Sequence, residues 1–213
     1  MEYQAYIFDL DGTLLDTLDD LAASTNFALR THHMPEHGID DVRRFVGNGV
    51  RKLMERAVPG GVANPLFEQA LATFREHYTQ HSLDTTRPYP GIIDLLQRLK
   101  ASGKKVAVVS NKFDAATKAL CQHFFASLVD VAIGESERVR KKPAPDTVME
   151  ALRLLEVEKE QAVYIGDSDV DIATARNSGI PCISVTWGFR DRTFLLGHGA
   201  VILVENPAEI AQI

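Results

Sequence analysis

The chain has 213 residues, 45% of them hydrophobic and 24% charged, with a formal net charge of -6. That length gives room for one full domain and a smaller insertion, and it lies well above the size that needs disulfide staples. The negative balance argues against nucleic-acid or anionic-membrane partners, while locally concentrated positive charge still suffices for an anionic metabolite.

Met1-Glu2-Tyr3-Gln4 opens with an acid rather than a basic segment. No apolar run approaches the roughly 18 residues of a membrane span. The first short apolar run, Ala5-Tyr6-Ile7-Phe8, stops at Asp9-Leu10-Asp11-Gly12-Thr13. From about Asp16 to Leu83 the pattern is helical. Leu18, Leu21, Ala22, Thr25, Ala28 and Leu29 follow helical spacing behind Thr17-x-x-Asp20, which resembles a capping box. Val42, Phe45 and Val46 continue the period, Gly47-Asn48-Gly49 interrupts it, and Val50, Leu53 and Met54 resume it. Leu66, Phe67, Ala70, Leu71, Phe74 and Tyr78 form a further helix face. Some 70 helical residues directly after a first strand are expected to form a lid over the sheet edge.

Arg87-Pro88-Tyr89-Pro90-Gly91 punctuates the return to alternating elements, and Ile92, Ile93, Leu95, Leu96 and Leu99 share one helix face. Three more apolar runs follow: Val106–Val109, Ala162–Ile165 and Cys182–Val185. Runs this short and rich in β-branched residues fit strands buried on both faces, so the expectation is an α/β parallel sheet with right-handed crossovers. Ligands of such sheets bind beyond the carboxyl ends of the strands. The first three runs end in Asp9-Leu10-Asp11, Ser110-Asn111-Lys112 and Gly166-Asp167-Ser168, which delivers polar groups to one edge. Most of the charged stretch Glu135–Lys142 reads as solvated surface. Cys121 and Cys182, far apart in apolar surroundings, read as core residues of a reducing compartment, so the chain is expected to be cytoplasmic.

Asp9 and Asp11 stand two apart at a strand end and can point to the same side, with Gly12 permitting the tight turn beyond them. Asp167 and Asp171 would join them and repel them. A hard divalent cation with oxygen ligands resolves that conflict, and magnesium suits a few carboxylates plus a substrate phosphate. Lys142, pinned by Pro143, would resolve part of it, while Ser110 and Asn111 offer neutral donors to phosphoryl oxygens. His32, His33 and His37 flank Pro35 and Gly38 without a cysteine or acid pattern, so a zinc site is not expected there. No G-x-G-x-x-G or G-x-x-x-x-G-K-[ST] loop is present.

Taken in order, Asp9-Leu10-Asp11-Gly12-Thr13, Ser110-Asn111, Lys142-Pro143 and Gly166-Asp167-Ser168-Asp169-Val170-Asp171 resemble the four motifs of the haloacid dehalogenase superfamily of phosphotransferases. The resemblance implies a Rossmann-like parallel-sheet core over residues 1–15 and 84–213, with an inserted α-helical cap domain over 16–83. It further implies that Asp9 is the nucleophile and that Asp11 is the acid and then the base. Magnesium would be held by Asp9, the backbone carbonyl of Asp11 and Asp167, with Asp171 behind them. Ser110, Asn111 and Lys142 would bind the transferring phosphoryl group. An acid at position 11 favours phosphoester chemistry, since the superfamily's dehalogenases lack one there.

The insertion point, the loop Phe45-Val46-Gly47-Asn48-Gly49-Val50 and Thr186-Trp187-Gly188-Phe189 are similar to the phosphoglycolate phosphatase branch. Gly47, Asn48 and Gly49 would then form a substrate-specificity loop. Asn177-Ser178-Gly179 in place of an Ala-Gly pair, and the additional Asp169, depart from that pattern. The implied activity is that of a phosphoric monoester hydrolase acting on a small phosphorylated metabolite. A phosphomutase resembling β-phosphoglucomutase, or an inorganic pyrophosphatase, shares the same motifs. A phospho-acceptor domain resembling response-regulator receivers uses similar groups, but it has its acceptor on a later strand and no large insertion after the first. Oligomeric state is not legible in the sequence.

Overall fold

The computed structural model describes residues 3–137 and 139–213. It divides into two units, Met1–Leu15 with Pro88–Ile213, and Asp16–Arg87.

The first unit is built on six parallel strands. β1 (Ala5–Phe8) leads to the short β2 (Leu15–Asp16), and after the helical insertion β3 (Arg87–Pro88) pairs with β2 where the chain returns. Then follow α5 (Ile92–Ala101), β4 (Lys105–Phe113), α6 (Asp114–Phe125), β5 (Val131–Glu135), α7 (Asp146–Leu155), β6 (Ala162–Gly166), α8 (Asp169–Ser178), β7 (Cys182–Val185), α9 (Arg192–Gly197), β8 (Ile202–Val204) and α10 (Pro207–Ile210), with α1 to α4 belonging to the insertion. The strand order is β5-β4-β1-β6-β7-β8. Chain progression moves outward from β1 through β4 to β5, then reverses to β6 on the other side, so the switch point of the sheet lies at the end of β1.

Alternation within the strands explains why both faces are covered. Tyr6, Phe8, Val106, Val108, Val163 and Ile165 face a layer containing Leu95, Leu96 and Leu99 of α5 and Leu120 and Phe125 of α6. Ala5, Ile7, Ala107, Val109, Ala162 and Tyr164 face Val148, Ala151, Leu152 and Leu155 of α7. A side-chain period of two, apolar at every position, is what a strand between two helical layers requires. The four strands expected from sequence are present. β5 and β8, at the two sheet edges, were not expected. Each is only partly buried; β8 lies in an apolar run, Ala200–Val204, that the sequence does show, whereas the run of β5 stops at Gly134 after three residues, and Glu135, expected in a solvated stretch, closes β5.

The second unit holds α1 (Leu18–Thr31), α2 (Ile39–Phe45), α3 (Val50–Ala57) and α4 (Phe67–His81). Leu21, Ala22, Thr25, Ala28 and Leu29 of α1 are buried, as are Phe67, Ala70, Leu71, Phe74 and Tyr78 of α4, and the two helices pack together. Thr17 does not form the expected capping box with Asp20, for its side chain makes no cap bond. The buried Asp20 carboxylate instead accepts from Thr85 N at 3.0 Å, Thr85 Oγ1 at 2.6 Å, Thr86 N at 2.9 Å and Thr86 Oγ1 at 2.7 Å. Those donors lie some 65 residues along the chain and outcompete a local cap because they supply four hydrogen bonds rather than one. His32 Nε2 meets Thr73 Oγ1 at 2.9 Å, and His37 Nε2 meets Ala57 O at 2.7 Å, so both rings tie helices of this unit together. Among the described residues, no helix is long and apolar enough to cross a membrane.

Candidate active site

Asp9 follows the last residue of β1, the strand in the middle of the sheet, with β4 on one side and β6 on the other. Its carboxylate Oδ1 accepts from Leu10 N at 2.7 Å, and Lys142 Nζ lies 2.8 Å from the same oxygen. The chain then turns through Gly12, at φ 84°, where Gly12 N donates to Leu15 O at 2.8 Å. A side chain at Gly12 would collide with the Asp167 carboxylate, so only glycine lets the β1 turn lie against the β6 end.

Asp167 comes from the end of β6. Thr13 Oγ1 donates to its Oδ1 at 3.1 Å, and Phe189 N donates to its Oδ2 at 2.7 Å. Trp187 Nε1 in turn donates to Thr13 O at 3.0 Å, which fastens the loop after β7 onto the β1 turn. Asp171 sits one turn into α8. Its Oδ2 accepts from Ser168 N at 3.1 Å and Ser168 Oγ at 2.5 Å, closing a capping box, and its Oδ1 accepts from Lys142 Nζ at 2.9 Å and Tyr164 OH at 2.9 Å. Lys142, almost wholly buried, also donates to Tyr164 OH at 3.1 Å.

Asp9, Asp167 and Asp171 each offer a carboxylate oxygen within 4.8 Å of the others. Burial raises the Asp9 pKa well above the usual carboxylate range, with Asp171 and Asp167 adding to the rise and Lys142 opposing it. Burial and the Asp171 charge push Asp167 up to about 7. Burial would raise Asp171 as well, but Lys142, Ser168 and Tyr164 hold it below its ordinary value. Burial alone would lower the Lys142 pKa, yet Asp171 and Asp9 keep this ammonium firmly charged. Three buried acids thus face one buried lysine, and the surplus falls on Asp9 and Asp167. A hard divalent cation with oxygen ligands fits that donor set, because the three clustered donors are carboxylate oxygens and the cation supplies the missing positive charge.

Ser110 and Asn111 are buried in β4, where its register against β5 shifts between Val109 and Phe113. Ser110 Oγ accepts from Lys112 N at 3.1 Å, and Asn111 Nδ2 donates to Lys142 O at 3.1 Å, linking the β4 end to the lysine loop. The structure therefore brings Asp9, Lys142, Asp167 and Asp171 together and couples Asn111 to them through the backbone of Lys142. Gly47, Asn48 and Gly49 lie in the helical unit between α2 and α3. Gly47 has φ 121° and Gly49 φ 85°, and Arg56 braces the loop by donating to Phe45 O and to Asn48 Oδ1, both at 2.7 Å.

One residue that the sequence places at the sheet edge was given no role there. Lys112 Nζ lies 2.9 Å from Asp11 Oδ1, with only 3% of the lysine side chain exposed. The signal was present in the strand period: Ser110 and Lys112 stand two apart, so they share a face of β4.

Residues 6–185 match the family model described as haloacid dehalogenase-like hydrolase. The chain belongs to the haloacid dehalogenase-like hydrolases. It is similar to a phosphoglycolate phosphatase of Aquifex aeolicus, at 34% identity over 86% of this chain and 84% of the relative. It is also similar to phosphoglycolate phosphatase 1 of Pseudomonas aeruginosa, at 34% identity over 94% and 73%. A crystal structure of a phosphoglycolate phosphatase candidate from Lactobacillus delbrueckii subsp. bulgaricus superposes with a TM-score of 0.96 at 37% identity, covering 100% of this chain and 98% of that one. The expected α/β core with an inserted helical cap is the fold of this haloacid dehalogenase-like hydrolase.

Proposed function

We propose that this hydrolase is a magnesium-dependent phosphatase that cleaves a small phosphomonoester through phosphorylated Asp9, with 2-phosphoglycolate as the leading substrate. The observation that carries the reading is the position of Asp9 at the switch point of the sheet. It is buried between Lys142 and two further carboxylates, with Asp11 two residues beyond. Asp9, the Asp11 carbonyl and Asp167 would hold the ion, with Asp171 behind them, and the ion would offset the charge of carboxylate and phosphate together.

In the first half-reaction an Asp9 carboxylate oxygen forms a bond to phosphorus while the bond from phosphorus to the leaving oxygen breaks. Asp11 gives its proton to that oxygen. In the second, Asp11, now a carboxylate, takes a proton from water as the water oxygen bonds to phosphorus. The Asp9–phosphorus bond breaks, and inorganic phosphate and the Asp9 carboxylate are left. Lys142, Ser110 and Asn111 hold the phosphoryl oxygens throughout, and Lys142 is oriented for this by Asp171 and Tyr164. Gly47, Asn48 and Gly49 would select the rest of the substrate. Support for the substrate comes from the relatives at 34% identity, which bear the name phosphoglycolate phosphatase.

Steady-state hydrolysis of p-nitrophenyl phosphate with and without magnesium tests the chemistry, and Asp9→Asn is expected to abolish turnover. Retained activity in a clean Asp9→Asn preparation would sink the nucleophile assignment. A panel of 2-phosphoglycolate, pyrophosphate, sugar phosphates and nucleotides tests the substrate, where 2-phosphoglycolate is expected to show the highest kcat/KM. Preference for any other member overturns that choice.

A further inference from the structure

Asp11 and Lys112 come from different strand ends of the α/β unit and meet in a place that is nearly dry. The ammonium lies 2.9 Å from Asp11 Oδ1, and the two side chains are 3% and 13% exposed. Two features of β4 place it there. The strand continues past Asn111 to Phe113, so Lys112 is part of the sheet rather than of a loop. Its backbone N–H is held by Ser110 Oγ and its carbonyl accepts from Thr117 Oγ1 at 3.3 Å, so the main chain of Lys112 is fixed on both sides. Lysine is a long, flexible side chain that keeps its charge in water unless something retains it, and an ammonium so deeply buried requires a carboxylate partner.

We infer that Lys112 is a positioning residue for the acid/base group Asp11; the inference rests on the phosphatase reading above. An ammonium has three donors and no acceptor. When it occupies Oδ1, that oxygen stays an acceptor, and the proton that Asp11 delivers resides on Oδ2. Lys112 thereby selects which oxygen carries the proton and fixes the plane of the carboxyl group. In the acid step the O–H bond of Asp11 breaks as the leaving oxygen gains the proton, and Lys112 neither gains nor loses one. A general acid held within hydrogen-bond reach contributes by its geometry, so loss of the holding group weakens proton delivery and spares the attack by Asp9.

The test separates this role from simple charge neutralisation. A leaving group of low basicity departs without help, whereas phenyl and alkyl phosphates need the proton. The value of kcat/KM reports the steps through departure of the leaving group. Lys112→Met is expected to lower kcat/KM for p-nitrophenyl phosphate by no more than about threefold, and for phenyl phosphate and 2-phosphoglycolate by at least about tenfold, in keeping with the value of general acid catalysis. Lys112→Arg, which keeps a donor-only cation, is expected to recover part of that difference. Equal losses on all three substrates, or no loss on any, would overturn the inference. If Lys112→Met does not fold, Asp11→Asn/Lys112→Met removes both charges of the buried pair. Its dependence on leaving group should match that of Asp11→Asn alone, and a steeper dependence overturns the inference. Wild-type protein inactive on every phosphomonoester with magnesium would refute the phosphatase reading itself, a result distinct from any of these.

Discussion

Lys142 Nζ lies 2.9 Å from Asp171 Oδ1, and both side chains are closed to solvent. The same ammonium reaches Asp9 at 2.8 Å, so one cation serves a nucleophile candidate and a structural acid at once. Removing it leaves buried carboxylates without that partner, which typically costs about 3–5 kcal/mol. Lys142→Met is therefore expected to be inactive and destabilised by about that amount. Trp187 is the sole tryptophan and is bonded to the β1 turn, so its fluorescence in urea follows the unfolding of this unit. An unchanged urea midpoint would show that the pair contributes nothing net to stability.

Gly188 is fixed by crowding rather than by backbone conformation. A Cβ there would come within 3.0 Å of the Gly12 carbonyl oxygen and of the Asp167 side chain. Gly188→Ala should push Asp167 aside at a packing cost of about 1–3 kcal/mol. Displacement of a group that orients or supplies a metal ligand weakens metal affinity by about 10–100-fold. The expected result is an activation curve for magnesium shifted upward by at least about tenfold, with turnover largely restored at saturation. An unshifted curve would argue against Asp167 as a ligand.

Asp20 makes the helical unit sensitive to acid. Its burial would raise its pKa, but the bonds from Thr85 and Thr86 hold the folded value below the ordinary one. A carboxylate with a depressed folded pKa stabilises the fold above its unfolded value, about 3.9, and that contribution is lost as pH falls through the folded pKa. Asp20→Asn should destabilise the protein by about 1–3 kcal/mol at pH 7, because Thr85 and Thr86 donors lose their charged acceptor. The gap between wild type and variant should close below about pH 4. Circular dichroism at 222 nm during urea unfolding measures it, and a gap that stays constant with pH would refute this account.

The sequence alone determined which strands are central and where their polar ends fall. A strand covered on both faces is apolar along most of its length, and that signal is local, so β1, β4, β6 and β7 and the acids Asp9 and Asp167 after β1 and β6 were legible. The glycine of the Asp11-Gly12 turn was legible for the same reason, since it answers a demand of the adjacent backbone. The edge strands were not read: β8 lies in an apolar run, Ala200–Val204, that the sequence does show, whereas the run of β5 stops at Gly134 after three residues. Tertiary structure decided the partners. Asp20 looked like half of a local cap and turned out to bind Thr85 and Thr86. Asp167 is gripped by Phe189 N from a loop 22 residues away, and Asp11 is paired with Lys112 across two strands. A buried polar group takes the donors that folding brings to it, and their distance along the chain carries no periodic trace. The motifs could name the acids and Lys142, but only packing could show that Lys112 holds Asp11 and that neutral donors hold Asp20 and Asp167.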